Sequence, residues 1–160
     1  MKAELSGQLY PFAPRHFVVR GHRLHYLDEG AGEPVLMLHG NPTWSFMYRD
    51  LVRALRDQYR VVAPDHLGCG LSDKPVDFPY RLELHIDHLE SLILGLDLRG
   101  ITLVVHDWGG PIGLAAMAST KPSLTRDLLL QSFGIGSQLG MLAYSRSHES
   151  EADKMGLVFM

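Results

Sequence analysis

One aspartate lies between an apolar run and a glycine-rich run near the middle of the chain. Asp107 follows ITLVVH at residues 101–106, which predicts a buried strand, and precedes residues 108–119, whose small side chains predict a helix packed closely on a sheet. A carboxylate with a reference pKa of about 3.9 is ionised at pH 7 and needs no base to attack carbon. A helix N-terminus would favour that anion, although an aspartate there can also be a plain helix cap. Taken alone, the position favours the cap.

Two further segments with polar and glycine residues follow short apolar runs. HGNPTWS, residues 39–45, begins where the run 35–39 ends, and PDHLGCGLSDKP, residues 64–75, follows the run RVVAP. Asn41 and Trp108 would supply an amide and an indole N–H, which are neutral donors able to hold a departing anion. In isolation, Asn41 is more simply a turn residue and Trp108 a core aromatic. A functional role for Asn41 and Trp108 is favoured only because they occur together with Asp107.

The surrounding pattern predicts an α/β fold. Alternation at residues 16–20 and 23–28 predicts an antiparallel hairpin that turns at Gly21-His22. Three apolar runs predict strands at 35–39, 60–64 and 101–106, and helical spacing predicts helices at 46–58, 82–96 and 108–119. Strands that are apolar throughout and alternate with helices predict a parallel sheet with helices on both faces.

The order and content of the three loops resemble the haloalkane dehalogenases of the α/β-hydrolase superfamily, over residues of about 16–122. HGNPTWS together with HDWGG is specific within that superfamily. The resemblance implies Asp107 as a covalent nucleophile on a strand-to-helix elbow. It implies Asn41 and Trp108 as the pair that stabilises the leaving group, with their backbone N–H groups as an oxyanion hole. Four residues are expected to be structural neighbours of that site: His39, Gly40, His106 and Gly109.

One subfamily fits more closely. PDHLGCGLSDKP and YRLELHIDHLESLI look like the β-lactone decarboxylases of long-chain olefin biosynthesis, relatives of the dehalogenases with the same aspartate. The chain could therefore act on a haloalkane, a β-lactone or a similar small molecule, and the residues do not decide between these leaving groups. The resemblance implies no metal and no organic cofactor.

The last part of the chain departs from this pattern. Residues 1–122 are expected to form the N-terminal part of a truncated α/β-hydrolase domain without its cap, and residues 123–160 a helical tail. The tail resembles a segment of M48-type zinc metallopeptidases, which would make Glu149 a zinc ligand. The H-E-x-x-H motif that supplies the other ligands is absent, so no metal is expected. His148 is the only histidine after Asp107 and is a poor candidate for a hydrolytic base, so a non-catalytic fragment or fusion product is the alternative.

Composition narrows the classes of partner. The formal charge of −3 gives no reason to expect nucleic acid or an anionic membrane as a partner. Cys69 is the single cysteine, which excludes an intramolecular disulfide, and no apolar run approaches membrane-spanning length. We therefore expect a cytoplasmic protein. The apolar strand at 101–106 could become an exposed sheet edge and promote self-association.

Overall fold

The structure, a computed structural model, describes residues 9–119. They form a five-stranded mixed sheet with three α-helices and one 3-10 helix. The strands are β1 (Arg15–Val19), β2 (His22–Glu29), β3 (Pro34–Leu38), β4 (Arg60–Pro64) and β5 (Thr102–Val105). The helices are α1 (Arg49–Leu55), α2 (Leu82–Gly95) and α3 (Gly109–Ser119), and the 3-10 helix is Ser45–Tyr48.

The strand order in the sheet is β1-β2-β4-β3-β5. β1 and β2 pair antiparallel, β2 also pairs antiparallel with β4, and β3 lies parallel to both β4 and β5. This arrangement confirms the predicted hairpin followed by parallel strands. The hairpin turns at Arg20 and Gly21, one residue earlier than predicted. Both residues have positive φ, 50° and 83°. A two-residue hairpin turn with both φ positive matches the twist of the strands, and glycine takes one of the two positions without strain.

Apolar side chains of the central strands point alternately to the two faces of the sheet. Val35 and Met37 of β3 belong to a buried cluster with Val52 of α1. Leu38 points the other way, since a Cβ added to Gly113 of α3 would lie 2.7 Å from its Cδ1 atom. Helices therefore cover both faces, as the apolar character of the strands predicted.

The first predicted helix, residues 46–58, is shorter and divided in the structure. Trp44 is extended, with φ of −161°, and the chain then enters the 3-10 helix and α1, which ends at Leu55. The backbone N–H of Ser45 donates to the buried carboxylate of Asp65 at 2.7 Å. This tertiary bond fixes the entry to the 3-10 helix, and helical spacing alone could not reveal it. By contrast, α2 and β4 have nearly the predicted bounds.

Strand β5 has a sheet neighbour on one side only within residues 9–119, namely β3. Thr102 is exposed and Val105 is 42% exposed. The predicted self-association through this strand stays a prediction. The tail at 123–160, including His148 and Glu149, lies outside the described residues, and the division of the chain near residue 122 also stays a prediction. In the described part of the chain, no helix is both long and apolar enough to span a membrane.

Two adjacent glycines at the start of α3 provide a matched test of how the helix packs on β3. A Cβ at Gly109 would collide with the backbone carbonyl of Leu38, whereas the nearest atom to a Cβ at Gly110 is 3.9 Å away. We expect Gly109→Ala to lower the free energy of unfolding by about 1–3 kcal/mol, because the obstacle is backbone and cannot rotate away. Gly110→Ala should be neutral or stabilising by up to about 1 kcal/mol, because alanine favours helix. Urea denaturation of both variants measures this, and equal effects would contradict the packing described.

Candidate active site

Asp107 occupies a sharp bend between β5 and α3. Its φ is +51°, in the left-handed region that residues other than glycine seldom adopt. Backbone hydrogen bonds close the bend from both sides: the N–H of His106 donates to Leu38 at 3.0 Å, and the N–H of Gly110 donates to the carbonyl of Asp107 at 2.9 Å. Strained backbone of this kind is concentrated at functional sites, where surrounding contacts enforce it. The structure thus places Asp107 at the strand-to-helix bend expected from the sequence.

The Asp107 carboxylate meets both of the expected backbone donors. The N–H of Asn41 donates to its Oδ1 atom at 2.9 Å. Hydrogen bonding from the N–H groups of Trp108 and of Asn41, with a smaller effect of nearby His106, holds the pKa of Asp107 below its usual range. Asp107 and His106 are both exposed. The carboxylate is therefore anionic at neutral pH and held by two N–H groups from two different loops.

Gly40 makes this close approach possible. A Cβ added to Gly40 would collide with the carboxylate and the Cβ atom of Asp107. Any side chain at position 40 would push apart the turn after β3 and the bend after β5. The glycine that the sequence marked as a neighbour of the site therefore lies directly against the carboxylate.

His39 joins the loop after β3 to the loop after β4. It is fully buried, its Nδ1 lies 2.9 Å from the carbonyl of Gly40, and its Nε2 accepts the backbone N–H of His66 at 2.9 Å. A carbonyl can only accept, so Nδ1 holds the proton and the ring is neutral. Burial lowers the pKa of His39, which agrees with that tautomer. A second hydrogen bond joins the same two residues, because His66 Nε2 donates to the carbonyl of His39 at 3.0 Å.

Asp65 is an organising residue to which the sequence had given no role. Its carboxylate is fully buried and accepts the N–H groups of Ser45 at 2.7 Å and of Leu71 at 2.8 Å, together with His25 Nδ1 at 2.9 Å. Burial alone would raise the pKa of Asp65, but the hydrogen bonds from His25, Leu71 and Ser45 outweigh it and the pKa is lowered. The signal available in the sequence was an aspartate that directly follows a strand in a glycine-containing loop.

A cavity of about 470 Å³ opens beside these loops. Asn41 and Trp108 line it together with apolar and aromatic side chains, and the indole-bearing residue Trp108 is 47% exposed. Its other lining residues are His66, Leu67, Gly68, Cys69, Tyr80, Leu82, His85 and Ile112. The Cys69 thiol donates weakly to Asn41 Oδ1 at 3.8 Å. Within residues 9–119, no group of three metal-binding side chains converges.

The chain belongs to the α/β-hydrolase fold family, which matches residues 33–143. Among similar proteins is a cis-3-alkyl-4-alkyloxetan-2-one decarboxylase of Shewanella oneidensis, 53% identical over 126 residues, which covers 76% of this chain and 39% of that protein. Haloalkane dehalogenase 2 of Mycobacterium tuberculosis is 45% identical over 141 residues, covering 87% of this chain and 49% of the relative. The chain thus spans less than half the length of these two curated relatives.

Solved structures agree with this assignment. Haloalkane dehalogenase DpaA from Paraglaciecola agarilytica superposes with a TM-score of 0.65 and 41% identity, covering 70% of this chain and 40% of that chain. Haloalkane dehalogenase DatA from Agrobacterium tumefaciens gives a TM-score of 0.61 with 37% identity, covering 64% and 35%. The described fold is therefore that of an α/β-hydrolase, as the sequence resemblance implied.

Four histidines in or near the cavity wall make the free energy of unfolding depend on pH. Burial is the largest cause that lowers the pKa of His39, His85, His66 (to about 3) and His88 (to about 4). The unfolded chain, with histidine pKa values of about 6.5, binds more protons than the folded chain below that pH. The free energy of unfolding should be highest above about pH 6.5 and should fall as the pH is lowered towards 4. Each extra proton costs about 1.4 kcal/mol per pH unit.

Urea denaturation at pH 7 and pH 5 checks this expectation in a range where carboxylates stay ionised. The matched variant is His88→Leu, because His88 is buried and neither ring nitrogen has a hydrogen-bond partner among residues 9–119. Unfolding of this variant should take up about one proton fewer, so its free energy of unfolding should depend less on pH. At pH 7 the variant should be no less stable than wild type, since no hydrogen bond is lost. An unfolding free energy that is the same at both pH values would contradict the neutral, buried state of these rings.

Proposed function

We propose that this chain is a hydrolase similar to haloalkane dehalogenases, in which the Asp107 carboxylate displaces a leaving group from carbon. The observation that supports this most is the ionised Asp107 on a left-handed bend, its Oδ1 bound by the N–H of Asn41. Asn41 and Trp108 also line the adjoining cavity. A helix cap would not require Gly40 to leave space for the carboxylate, so the cap alone does not account for the arrangement.

In the proposed first step, an oxygen of Asp107 forms a bond to the substrate carbon while the carbon–halogen bond breaks. Both electrons of the broken bond leave with the halide, and the enzyme becomes a neutral alkyl ester. The side-chain amide of Asn41 and the indole N–H of Trp108 would donate to the departing halide. Because both donors are uncharged, they would bind the halide without forming an ion pair with the Asp107 carboxylate.

In the second step, water would attack the ester carbonyl, and Oδ1 would become an oxyanion. Collapse of that oxyanion would break the bond between Cγ and the alkyl-bearing oxygen, release the alcohol and restore the Asp107 carboxylate. The N–H groups of Asn41 and Trp108, which already interact with the carboxylate, would stabilise the oxyanion. A general base must remove a proton from the water. The two histidines that line the cavity, His66 and His85, have lowered pKa values because of burial and would be weak bases. With these bases alone, the ester should form much faster than it is hydrolysed.

Incubation of the chain with 1-bromohexane tests this chemistry. We expect one hexyl ester per chain, because the ester forms without a base and the histidines that line the cavity within residues 9–119 are weak bases for its hydrolysis. Intact-mass spectrometry should show an increase equal to the alkyl group less one hydrogen atom, and peptide mapping should locate it at Asp107. Asp107→Asn is the matched control, since it keeps the shape but removes the nucleophilic anion, and it should remain unlabelled. An unchanged mass in the folded wild-type chain would argue for a non-catalytic fragment.

A second candidate is a decarboxylase that acts on a β-lactone. It is favoured by the 53% identity to the oxetan-2-one decarboxylase of Shewanella oneidensis. Asp107 would attack the alkyl-bearing, tetrahedral ring carbon next to the ring oxygen, and the bond between that carbon and the ring oxygen would break to give a carboxylate. The electrons of the bond to this carboxylate would then form a carbon–carbon double bond and expel Asp107. The balance is one lactone converted to one alkene and one carbon dioxide, with no water consumed.

This second route predicts a different stoichiometry, because expulsion of Asp107 regenerates the enzyme without a hydrolytic base. With a cis-3,4-dialkyl β-lactone, we expect more than one equivalent of alkene per chain by gas chromatography. The mass spectrum should show little persistent adduct. Asp107→Asn should form no alkene above the uncatalysed background. A single stable adduct with bromohexane and no alkene from the lactone would favour the dehalogenase-like reaction.

The metallopeptidase resemblance of the tail remains a hypothesis, and it requires Glu149 to bind zinc. We expect the purified chain to contain no stoichiometric zinc, because one ligand does not hold a catalytic metal. Zinc that is present at one equivalent and lost in Glu149→Ala would support the peptidase alternative instead.

A further inference from the structure

Tyr80 has an unusual backbone conformation beside the cavity. Its φ is +44°, which for a bulky aromatic residue is a genuine outlier. The next residue, Arg81, is extended, and α2 then begins at Leu82. A connection into a helix could use glycine or asparagine at such a position without strain. Backbone strain persists where surrounding contacts determine it, so the contacts of the Tyr80 side chain indicate its role.

Four contacts position the Tyr80 ring, one of which is with the tilted ring of His85 at a centroid distance of 6.3 Å. The Tyr80 hydroxyl donates to the carbonyl of Pro75 at 2.9 Å. The ring of Phe78 packs edge-on against the Tyr80 ring, with centroids 5.0 Å apart. The fourth contact is at Gly68, where an added Cβ would lie 2.6 Å from Tyr80 Cε1. The ring is thus held at its edge, at its hydroxyl and against a loop that lacks a side chain.

Gly68 and Tyr80 depend on each other. Gly68 itself has φ of +91°, and its N–H donates to Asp73 at 2.9 Å, which keeps this loop backbone in place. A side chain at position 68 would occupy the space of the Tyr80 ring. Both residues line the cavity that Asn41 and Trp108 also line. The ring therefore forms a fixed part of the cavity wall, in contrast to a flexible aliphatic side chain.

We propose that Tyr80 is a specificity-determining residue that limits the width of the group accepted by this cavity. The inference rests on the proposed function in taking the cavity as the substrate pocket. A rigid ring over Gly68 admits an unbranched alkyl group along the apolar wall formed with Leu67 and Leu82 and excludes a ring or a branched group of similar size. Tyr80 does not touch the reacting atoms on this proposal and takes no part in bond formation.

Binding of two unreactive six-carbon alcohols tests the proposal without any covalent step. The affinity of the full chain for 1-hexanol and for cyclohexanol is measured from shifts of the Trp108 indole N–H resonance. We expect wild type to prefer 1-hexanol by about tenfold, the scale on which apolar pockets discriminate between shapes. Tyr80→Gly, which removes the ring and tolerates positive φ, should reduce the preference to about twofold or less. Tyr80→Phe keeps the ring and should retain the preference.

Val76→Ala is the matched control in the same loop, because Val76 is 95% exposed and does not line the cavity. Its preference should equal that of wild type. Tyr80→Ala repeats the loss of the ring without relieving the strained φ, so a shared change in Tyr80→Gly and Tyr80→Ala assigns the effect to the ring. The proposal is overturned if both variants keep the wild-type preference, or if wild type binds the two alcohols equally or not at all. Labelling of Asp107 by bromohexane is measured separately. The proposed reaction can therefore fail while the preference for 1-hexanol is observed, and the preference can be absent while Asp107 is labelled.

Discussion

The hydrogen bond from the backbone of Asn41 to the carboxylate of Asp107 is the contact on which the arrangement of the site depends. It joins the turn after β3 to the bend after β5, two loops separated by more than sixty residues in sequence. Parallel pairing of β3 with β5 brings the ends of the two strands together, with Leu38 opposite Val105. Gly40 then allows the carboxylate to approach the backbone. Removal of any one of these conditions would leave Asp107 as an ordinary helix cap.

A second carboxylate, that of the buried Asp65, connects the loop after β3 to the loop after β4. It accepts N–H groups from Ser45 and Leu71, so the start of the 3-10 helix and the loop after β4 share one anchor. His39 adds a neutral connection between Gly40 and His66. These groups are buried, where unsatisfied polar atoms are costly, so a change in one loop would disturb its partners. The loops after β3 and β4 are therefore also held by polar contacts that do not involve the exposed Asp107.

The sequence predicted elements where one local pattern dominated. β4 and α2 were placed within a residue or so, because an uninterrupted apolar run and a long amphipathic stretch each define one structure. The position of Asp107 at a bend was predictable from the change between an apolar and a small-residue segment. The division of residues 46–58 was not, because it depends on a bond from Ser45 to Asp65, twenty residues away. The positive φ of Tyr80 was equally hidden, because it accompanies the packing of the Tyr80 ring over Gly68, a contact that no local sequence pattern indicates.

The two backbone donors would act differently on the two proposed reactions. Donors that stabilise the free carboxylate lower its pKa and so reduce its nucleophilicity in the first attack. For hydrolysis of an ester, that cost is offset later, when the same donors face a full oxyanion on Oδ1. For a β-lactone, no water attacks the ester, and the donors would instead help by making Asp107 a better leaving group as the alkene forms. An N–H pair that holds the carboxylate already in the free protein would thus suit its expulsion from an ester as well as hydrolysis of that ester, so the same bend is compatible with either proposed reaction.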